Sequence, residues 1–229
     1  MRFTNKTDIF FDLDHTLWDF ERNSALTFEA IFQKHGIGVN LQEFLKHYVP
    51  INQYYWVLYR EEKIGHQELR YKRLKDSFDR MSYTVEDATV DLISDDYIRY
   101  LPTFNHLFDG AIDVLDYLKP KYNLHIITNG FQEVQTGKLR NSNIAHYFAT
   151  VTNSEMAGVK KPNPKIFEYA LNLAKTDRAS SLMIGDSFEA DIEGALNVGL
   201  DAVFFNEFKM EVRKDIAQVF HLSELKNIL

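Results

Sequence analysis

The sequence predicts an α/β protein with a Rossmann-like core, in which a doubly wound parallel sheet carries an inserted α-helical domain. Three observations predict this fold class. Five short segments are rich in β-branched and aromatic residues and are bounded by turn or helix-start residues. From the second segment onward, helical patterns alternate with these segments, which is the order of right-handed βαβ units. A long stretch after the first segment shows helical patterns and no convincing strand.

The predicted strands cover residues 8–13, 124–128, 148–152, 181–185 and 202–205. Most of them contain an almost unbroken apolar run, such as DIFF, IIT, LMIG and AVFF. A strand that is covered by helices on both faces has no solvent-facing side, so its apolar residues do not need to alternate with polar ones. The pattern therefore indicates a parallel sheet with helices on both faces.

The predicted helices of this core cover residues 110–118, 132–141, 164–175 and 190–198, with a last helix near 222–229. The inserted stretch contains several helical patterns, with plausible breaks at Gly36, Gly38, Pro50, Gly65 and Pro102. About 85 residues are enough for a small helical bundle. We therefore expect an α/β core made of residues 1–17 and 106–229, and a helical domain made of residues 18–105.

Composition excludes several classes of protein. The 229 residues carry a formal charge of −7, which gives no net attraction for a nucleic-acid polymer or an anionic membrane. The absence of cysteine excludes disulfides, thiolate metal sites and a cysteine nucleophile. The longest apolar run has six residues, far below the roughly 20 that a membrane span needs. With no secretory signal pattern at the N-terminus, we expect a cytoplasmic monomer or small homo-oligomer.

The first predicted strand leads into two carboxylates, Asp12 and Asp14. Residues i and i+2 of a strand share a face, so both carboxylates are expected near the carboxyl end of this strand, where open parallel sheets bind ligands. Two adjacent carboxylates repel each other unless a cation neutralises them, and hard oxygen ligands suit magnesium better than zinc. An exposed acidic strand end is the alternative interpretation.

Polar residues also follow the other predicted strands. Asp186 and Ser187 follow the fourth strand, where either residue could instead cap a helix. Thr128 and Asn129 follow the second strand just before a helix N-terminus, which is a natural anion site or a plain turn. Lys161 precedes two prolines that stiffen the chain, although a lysine in such a loop is often only solvated. The coincidence of these groups at one sheet edge indicates a single site.

These residues form four short motifs: Asp12-Leu13-Asp14-His15-Thr16, Thr128-Asn129, Lys161 before Pro162, and Gly185-Asp186-Ser187 through Asp191. In this order they resemble the four motifs of the haloacid dehalogenase-like (HAD) hydrolase superfamily. The resemblance covers the whole chain, including a helical cap domain inserted after the first strand. It implies a phosphomonoesterase that works through an aspartyl-phosphate.

The resemblance also implies a role for each residue. Asp12 would be the nucleophile and Asp14 the general acid and base. Mg²⁺ would be held by Asp12, the main-chain carbonyl of Asp14, and Asp186. Phosphate would be bound by Thr128, Asn129 and Lys161. The residues that contact the site would be supported by Thr16, Ser187 and Asp191. Asp191 would orient Lys161 or a metal-bound water. Dehalogenases of the superfamily lack the second carboxylate because a halide needs no proton, so Asp14 favours phosphoryl transfer.

The cap is expected to set substrate specificity, because caps of this kind close over the site and contact the leaving group. Trp18 and Phe20 lie at the expected hinge, and Tyr55 and Trp56 could stack on a planar base. Packing between helices is the alternative role for these rings.

The stretches FDLDHTLWDFERNSA, INQYYWVLYREEKI and ITNGFQEVQTGKL resemble the bacterial pyrimidine 5′-nucleotidase subgroup. This resemblance implies a small phosphorylated metabolite as partner, namely a nucleoside monophosphate such as UMP, dUMP or dTMP. A sugar-phosphate or phosphoglycolate phosphatase, a phosphomutase, and a catalytically silent binding protein on the same fold are the alternatives.

Overall fold

The computed structural model describes residues 3–229, which form two compact units. One unit runs to Phe20 and resumes over Asn105–Leu229, and the other is Glu21–Phe104. These divisions lie close to the boundaries expected from the sequence, at 17/18 and 105/106. Among residues 3–229, no helix combines the length and the apolar character that a membrane span requires.

The inserted unit is made of helices, and Glu21–Phe104 contains no strand. Its helices are α1 (Phe20–His35), α2 (Leu41–Arg60), α3 (His66–Arg80) and α4 (Asp87–Tyr100). Aromatic side chains fill its core. Phe28 contacts Phe44, Tyr48 and Tyr97 at ring-centroid distances of 4.9, 4.5 and 4.8 Å. Rings at these distances add specific aromatic contacts to the area that they bury.

The other unit is built on six parallel strands in the order β3-β2-β1-β4-β5-β6. The strands are β1 (Asp8–Phe11), β2 (Asn123–Thr128), β3 (Phe148–Asn153), β4 (Ser181–Gly185), β5 (Asp201–Phe205) and β6 (Ala217–Val219). The α/β fold class predicted from the sequence is therefore confirmed. The strand order reverses at β1, which pairs with both β2 and β4. Open parallel sheets bind ligands outside the carboxyl ends of the strands at such a switch point.

Helices flank this sheet: α5 (Ala111–Leu118), α6 (Gln132–Asn141), α7 (Ser154–Ala157), α8 (Pro164–Ala174) and α9 (Gly194–Asn197). On one side, Phe10 and Met183 from the strands pack with Ile166 and Phe167 of α8 and Ala195 of α9, and all five are fully buried. A strand that contributes such residues has no polar face, which explains its apolar run.

Three predicted elements require correction, and one strand was not predicted. Strand β1 ends at Phe11, two residues earlier than predicted, and the chain turns further along, at residues 15–17. The predicted helix 190–198 begins instead as a π-helical turn, Phe188–Glu193, that continues into α9. The predicted last helix is a short 3₁₀ segment, Leu222–Asn227. Strand β6 was not predicted, since three residues with a polar one in the middle give no recognisable strand pattern.

Candidate active site

The candidate site lies at the carboxyl ends of β1, β2 and β4. Asp12 is the first residue after β1, and its backbone N–H donates to the carbonyl of Ile184 at 2.9 Å, so the chain stays attached to β4 at this point. The Asp12 side chain is only slightly exposed, at 10%. The sheet thus fixes the backbone of a carboxylate that faces the switch point.

Lys161 is the cation of the site and has a fully buried side chain. Its Nζ donates to Asp12 Oδ1 at 2.6 Å and to the carbonyl oxygen of Ile127 at 2.7 Å. It also forms an ion pair of 2.6 Å with Asp191 Oδ1. Burial by itself would lower the pKa of Lys161, but the charges of Asp12 and Asp191 raise this pKa above its ordinary value. Lys161 is therefore expected to be charged at neutral pH.

Asn129 holds the backbone of Lys161 in place. Its Nδ2 donates to the carbonyl of Lys161 at 3.0 Å, and its Oδ1 accepts from the N–H of Lys161 at 2.7 Å. The carbonyl of Asn129 accepts from Ser154 Oγ at 3.1 Å. The side chain predicted to bind phosphate is thus occupied in aligning the lysine, and a phosphate contact from Asn129 stays a prediction.

Three carboxylates converge next to this lysine. Asp12, Asp186 and Asp191 each place one carboxylate oxygen within 4.8 Å of the others. Burial and the charges of Asp191 and Asp186 raise the pKa of Asp12 well above its ordinary value, although Lys161 opposes this. Burial, followed by the charge of Asp191, raises the pKa of Asp186 to about 8. One ammonium cannot balance three carboxylates, so the site favours a further cation.

Thr16 and Ser187 support these acids. Thr16 Oγ1 donates to Asp186 Oδ1 at 3.1 Å, and the N–H of Ser187 donates to Asp191 Oδ2 at 3.0 Å. Ser187 Oγ also accepts from the N–H of Ala190 at 3.2 Å, so it caps the following helical turn. Gly185 leaves room for Asp191, since a Cβ at residue 185 would lie 2.3 Å from Asp191 Oδ2.

Asp14 lies in the turn after β1 and contacts helix α6. Its Oδ1 accepts from Lys138 Nζ at 2.5 Å, and its Oδ2 accepts from Gln135 Nε2 at 2.9 Å. Because β1 ends at Phe11, strand alternation does not set the direction of this side chain, and its convergence with Asp12 stays a prediction. The carboxylate of Asp14 is set by α6 instead.

Gln135 and Lys138 were not predicted from the sequence. Both are buried, although they are polar residues on a helix of low overall hydrophobicity. Gln135 Nε2 also donates to Thr128 Oγ1 at 2.6 Å, and Thr128 Oγ1 accepts from the N–H of Gly130 at 3.1 Å. The one available signal was their spacing of three, which places them on the same face of α6.

The aromatic residues predicted to contact substrate have other contacts. Trp18 is fully buried and donates through Nε1 to Ser142 Oγ at 3.2 Å. The ring of Phe20 lies edge-on to Trp18 at 6.2 Å. These contacts favour a packing role for both rings.

In the helical unit, Tyr55 is buried and its hydroxyl donates to Asp76 Oδ2 at 2.5 Å. Trp56 is half-buried, with its ring edge-on to Tyr59 at 5.6 Å. Burial of the Tyr55 ring leaves little surface for a base. A role for Tyr55 or Trp56 in base stacking stays a prediction.

Comparisons with known proteins show which proteins the chain is similar to. A family model described as haloacid dehalogenase-like hydrolase matches residues 9–199. Pyrimidine 5′-nucleotidase PynA of Streptococcus pneumoniae is 30% identical over 96% of this chain and 92% of its own length. Pyrimidine 5′-nucleotidase YjjG of Escherichia coli is 31% identical over 96% of this chain and 95% of its own length.

The chain is also similar to a sugar-phosphate phosphatase and to a solved structure. A glyceraldehyde 3-phosphate phosphatase of Methanothermobacter thermautotrophicus is 31% identical over 96% of this chain and 98% of its own length. The crystal structure of YfnB from Bacillus subtilis, bound to magnesium, has a TM-score of 0.89 and 29% identity, and covers 99% of both chains.

Proposed function

The chain belongs to the haloacid dehalogenase-like hydrolase family, and we propose that it is a magnesium-dependent phosphomonoesterase that acts on pyrimidine nucleoside 5′-monophosphates. One observation carries the proposal. A buried carboxylate, Asp12, lies at the switch point of the sheet, paired with a buried lysine and surrounded by further acids, and a second carboxylate follows two residues later. These groups supply a nucleophile, a fixed cation and an acid–base residue for phosphoryl transfer.

The donor set of the site suits Mg²⁺. Mg²⁺ prefers carboxylate and carbonyl oxygens, and the raised pKa values of Asp12 and Asp186 reflect a buried and a partly buried carboxylate that lack enough positive charge. Asp12, Asp186 and the main-chain carbonyl of Asp14 would hold the ion, while the ion pair of Asp191 with Lys161 favours an orienting role for Asp191. When bound, the ion would neutralise charge on the phosphoryl group.

The chemistry of the chain's own residues follows from their positions. A carboxylate oxygen of Asp12 attacks phosphorus, a bond forms between this oxygen and phosphorus, and the bond from phosphorus to the 5′ oxygen of the nucleoside breaks. Protonated Asp14 gives its proton to the departing oxygen. Ionised Asp14 then takes a proton from a water that attacks phosphorus, and the bond between Asp12 and phosphorus breaks. Lys161 keeps Asp12 aligned and contributes positive charge throughout.

Asp14 also separates the proposed activity from carbon–halogen hydrolysis. A departing halide needs no proton, so a dehalogenase gains nothing from a second carboxylate that is held by two donors. In this protein, Lys138 and Gln135 hold both oxygens of Asp14. This arrangement supports a reaction in which the leaving group is a strong base.

The choice of a pyrimidine nucleotide rests on the relatives. PynA and YjjG are named as pyrimidine 5′-nucleotidases and cover nearly the whole chain. A sugar phosphate is the second candidate substrate, because the glyceraldehyde 3-phosphate phosphatase is equally similar in percentage identity. The acid–base and lysine residues serve both substrates equally well, so specificity has to come from other residues.

The test is phosphate release, with and without Mg²⁺, from UMP, dUMP, dTMP, AMP, GMP, phosphoglycolate, several sugar phosphates and p-nitrophenyl phosphate. We expect magnesium-dependent release with a preference for the pyrimidine monophosphates. Preference for a sugar phosphate would refute the substrate assignment only. Full activity after EDTA treatment and desalting, with no gain from Mg²⁺, would refute the metal assignment.

Asp12→Asn tests the nucleophile, with Asp113→Asn on the exposed surface of α5 as the control. We expect the first variant to retain less than about a thousandth of the wild-type rate and the second to retain all of it. Residual turnover above that level in Asp12→Asn would remove Asp12 from the nucleophilic role.

A further inference from the structure

Lys138 is a fully buried lysine whose charged end faces Asp14. Its side chain is 2% exposed, and its Nζ lies 2.5 Å from Asp14 Oδ1, whereas the side chain of Asp14 is 21% exposed. The lysine is thus shielded from solvent while the carboxylate remains open on one side. A short, shielded charge–charge contact of this kind fixes the position of the more open partner.

Two aromatic rings fix the position of Lys138 in turn. Its Nζ lies 4.3 Å from the centre of the Trp18 ring and 5.2 Å from that of the Phe20 ring. Both distances are within the range of a cation–π interaction. Trp18 is itself held by its hydrogen bond to Ser142. The ammonium therefore has a defined place between two rings and one carboxylate.

Gln135 supplies a second contact to the same carboxylate. Its Nε2 donates to Asp14 Oδ2 at 2.9 Å and to Thr128 Oγ1 at 2.6 Å, so it links the turn after β1 to the end of β2. Space for this amide depends on Gly130, because a Cβ there would lie 2.4 Å from Gln135 Nε2. Both oxygens of Asp14 are therefore held by donors from one face of α6.

We propose that Lys138, together with Gln135, is a positioning residue that aims the carboxyl group of Asp14 at the oxygen of the leaving group. The proposal rests on the proposed phosphomonoesterase activity. Lys138 and Gln135 each occupy one lone pair of the Asp14 oxygen that they contact, and the other lone pair of that oxygen stays available for the reacting proton. Because Lys138 contacts Asp14 and the rings, it acts on the reaction through Asp14 and not through the substrate.

A purely structural role is the competing explanation, and Lys6 provides the matched comparison. Lys6 is another lysine of the α/β unit with a side-chain exposure of 2%, and its Nζ lies 2.7 Å from Asp201 Oδ2 and 2.6 Å from the carbonyl oxygen of Ala179. Asp201 begins β5, so this pair lies at the amino ends of the strands, opposite the candidate site. Removing either lysine deletes a buried ammonium, but only one of them faces Asp14.

The experiment compares Lys138→Met with Lys6→Met on two substrates, UMP and p-nitrophenyl phosphate. The nucleoside alkoxide needs a proton to leave, whereas p-nitrophenolate is a much weaker base and leaves without one. General acid catalysis contributes about 10²–10⁴-fold. For Lys138→Met we therefore expect kcat/KM to fall by about 100-fold for UMP and by less than about tenfold for p-nitrophenyl phosphate. Lys6→Met should leave both values near those of the wild type.

Gln135→Met serves as a second variant, which decides the question if Lys138→Met does not fold. It should show the same selective loss on UMP, with little change in KM. Equal losses on both substrates, or the same selective loss in Lys6→Met, would overturn the positioning role while the wild-type activity stands. Failure of the wild type to release phosphate from any phosphomonoester would overturn the proposed function, and the positioning role with it.

Discussion

The crowded carboxylates of the candidate site should cost folding stability when no metal is bound, and Asp186→Asn measures that cost. Burial and the charge of Asp191 raise the pKa of Asp186 from an ordinary value of 3.8 to about 8. A carboxyl group whose pKa is raised on folding keeps a proton that the unfolded chain has lost. Wild-type stability should therefore fall as the pH rises from about 4 through about 8, and asparagine, which does not titrate, should remove this fall.

The magnitude follows from the size of the shift. Each pKa unit corresponds to about 1.4 kcal/mol, so a shift of about four units sets an upper bound of about 6 kcal/mol at pH 8 and above. Asp186 is only partly buried, and water screens part of this energy. We expect Asp186→Asn to raise the free energy of unfolding by about 2 kcal/mol at pH 8, and by close to zero at pH 4.

The assay is urea denaturation at pH 4 and pH 8, first in EDTA and then with Mg²⁺. Asp79→Asn, which removes an exposed acid of the helical unit, is the control and should change little. Mg²⁺ should stabilise the wild type by mass action and Asp186→Asn much less. If Asp186→Asn is no more stable than the wild type at pH 8 in EDTA, the repulsion inferred for this site is wrong.

Three further predictions concern other parts of the molecule. Gly185→Ala should lower kcat by more than about tenfold while circular dichroism stays unchanged, because the new Cβ would lie 2.3 Å from Asp191 Oδ2. Burial lowers the pKa of His125, and hydrogen bonds lower the pKa of Asp8 despite its burial. Denaturation should therefore show that the free energy of unfolding decreases as the pH falls below about 6.5, and that it decreases less steeply in His125→Gln. Trp56→Ala should raise KM for UMP but not for p-nitrophenyl phosphate, and equal effects on both would mean that this ring only packs.

Much of the site could be predicted from the positions at which the strands end. Asp12, Lys161 and Asp186 lie far apart in the chain, and the structure brings them together because they follow strands or loops that reach one edge of a parallel sheet. Topology of this kind is readable from a sequence, since apolar runs mark the strands and the polar residue after each run marks its carboxyl end.

The surroundings of Asp14 could not be predicted in the same way. Its direction depends on where β1 ends, and the strand ends at Phe11, two residues before Leu13, the last residue of the predicted strand. Gln135 and Lys138 look like solvent-facing residues of a polar helix, because a helical pattern records which face is apolar but not which long side chain reaches a buried carboxylate. Such contacts depend on the packing of α6 against the turn.

The most direct test of the central claim is to trap the covalent intermediate on Asp12. Rapid acid quenching of the protein with Mg²⁺ and phosphate-labelled UMP, followed by peptide mapping, should place one phosphoryl group on the peptide that contains FDLDHT. The label should be stable in acid, be lost in base, and be absent from Asp12→Asn. Rapid turnover by the wild type without a labelled peptide, or a label on another peptide, would contradict the assignment of Asp12 as the nucleophile.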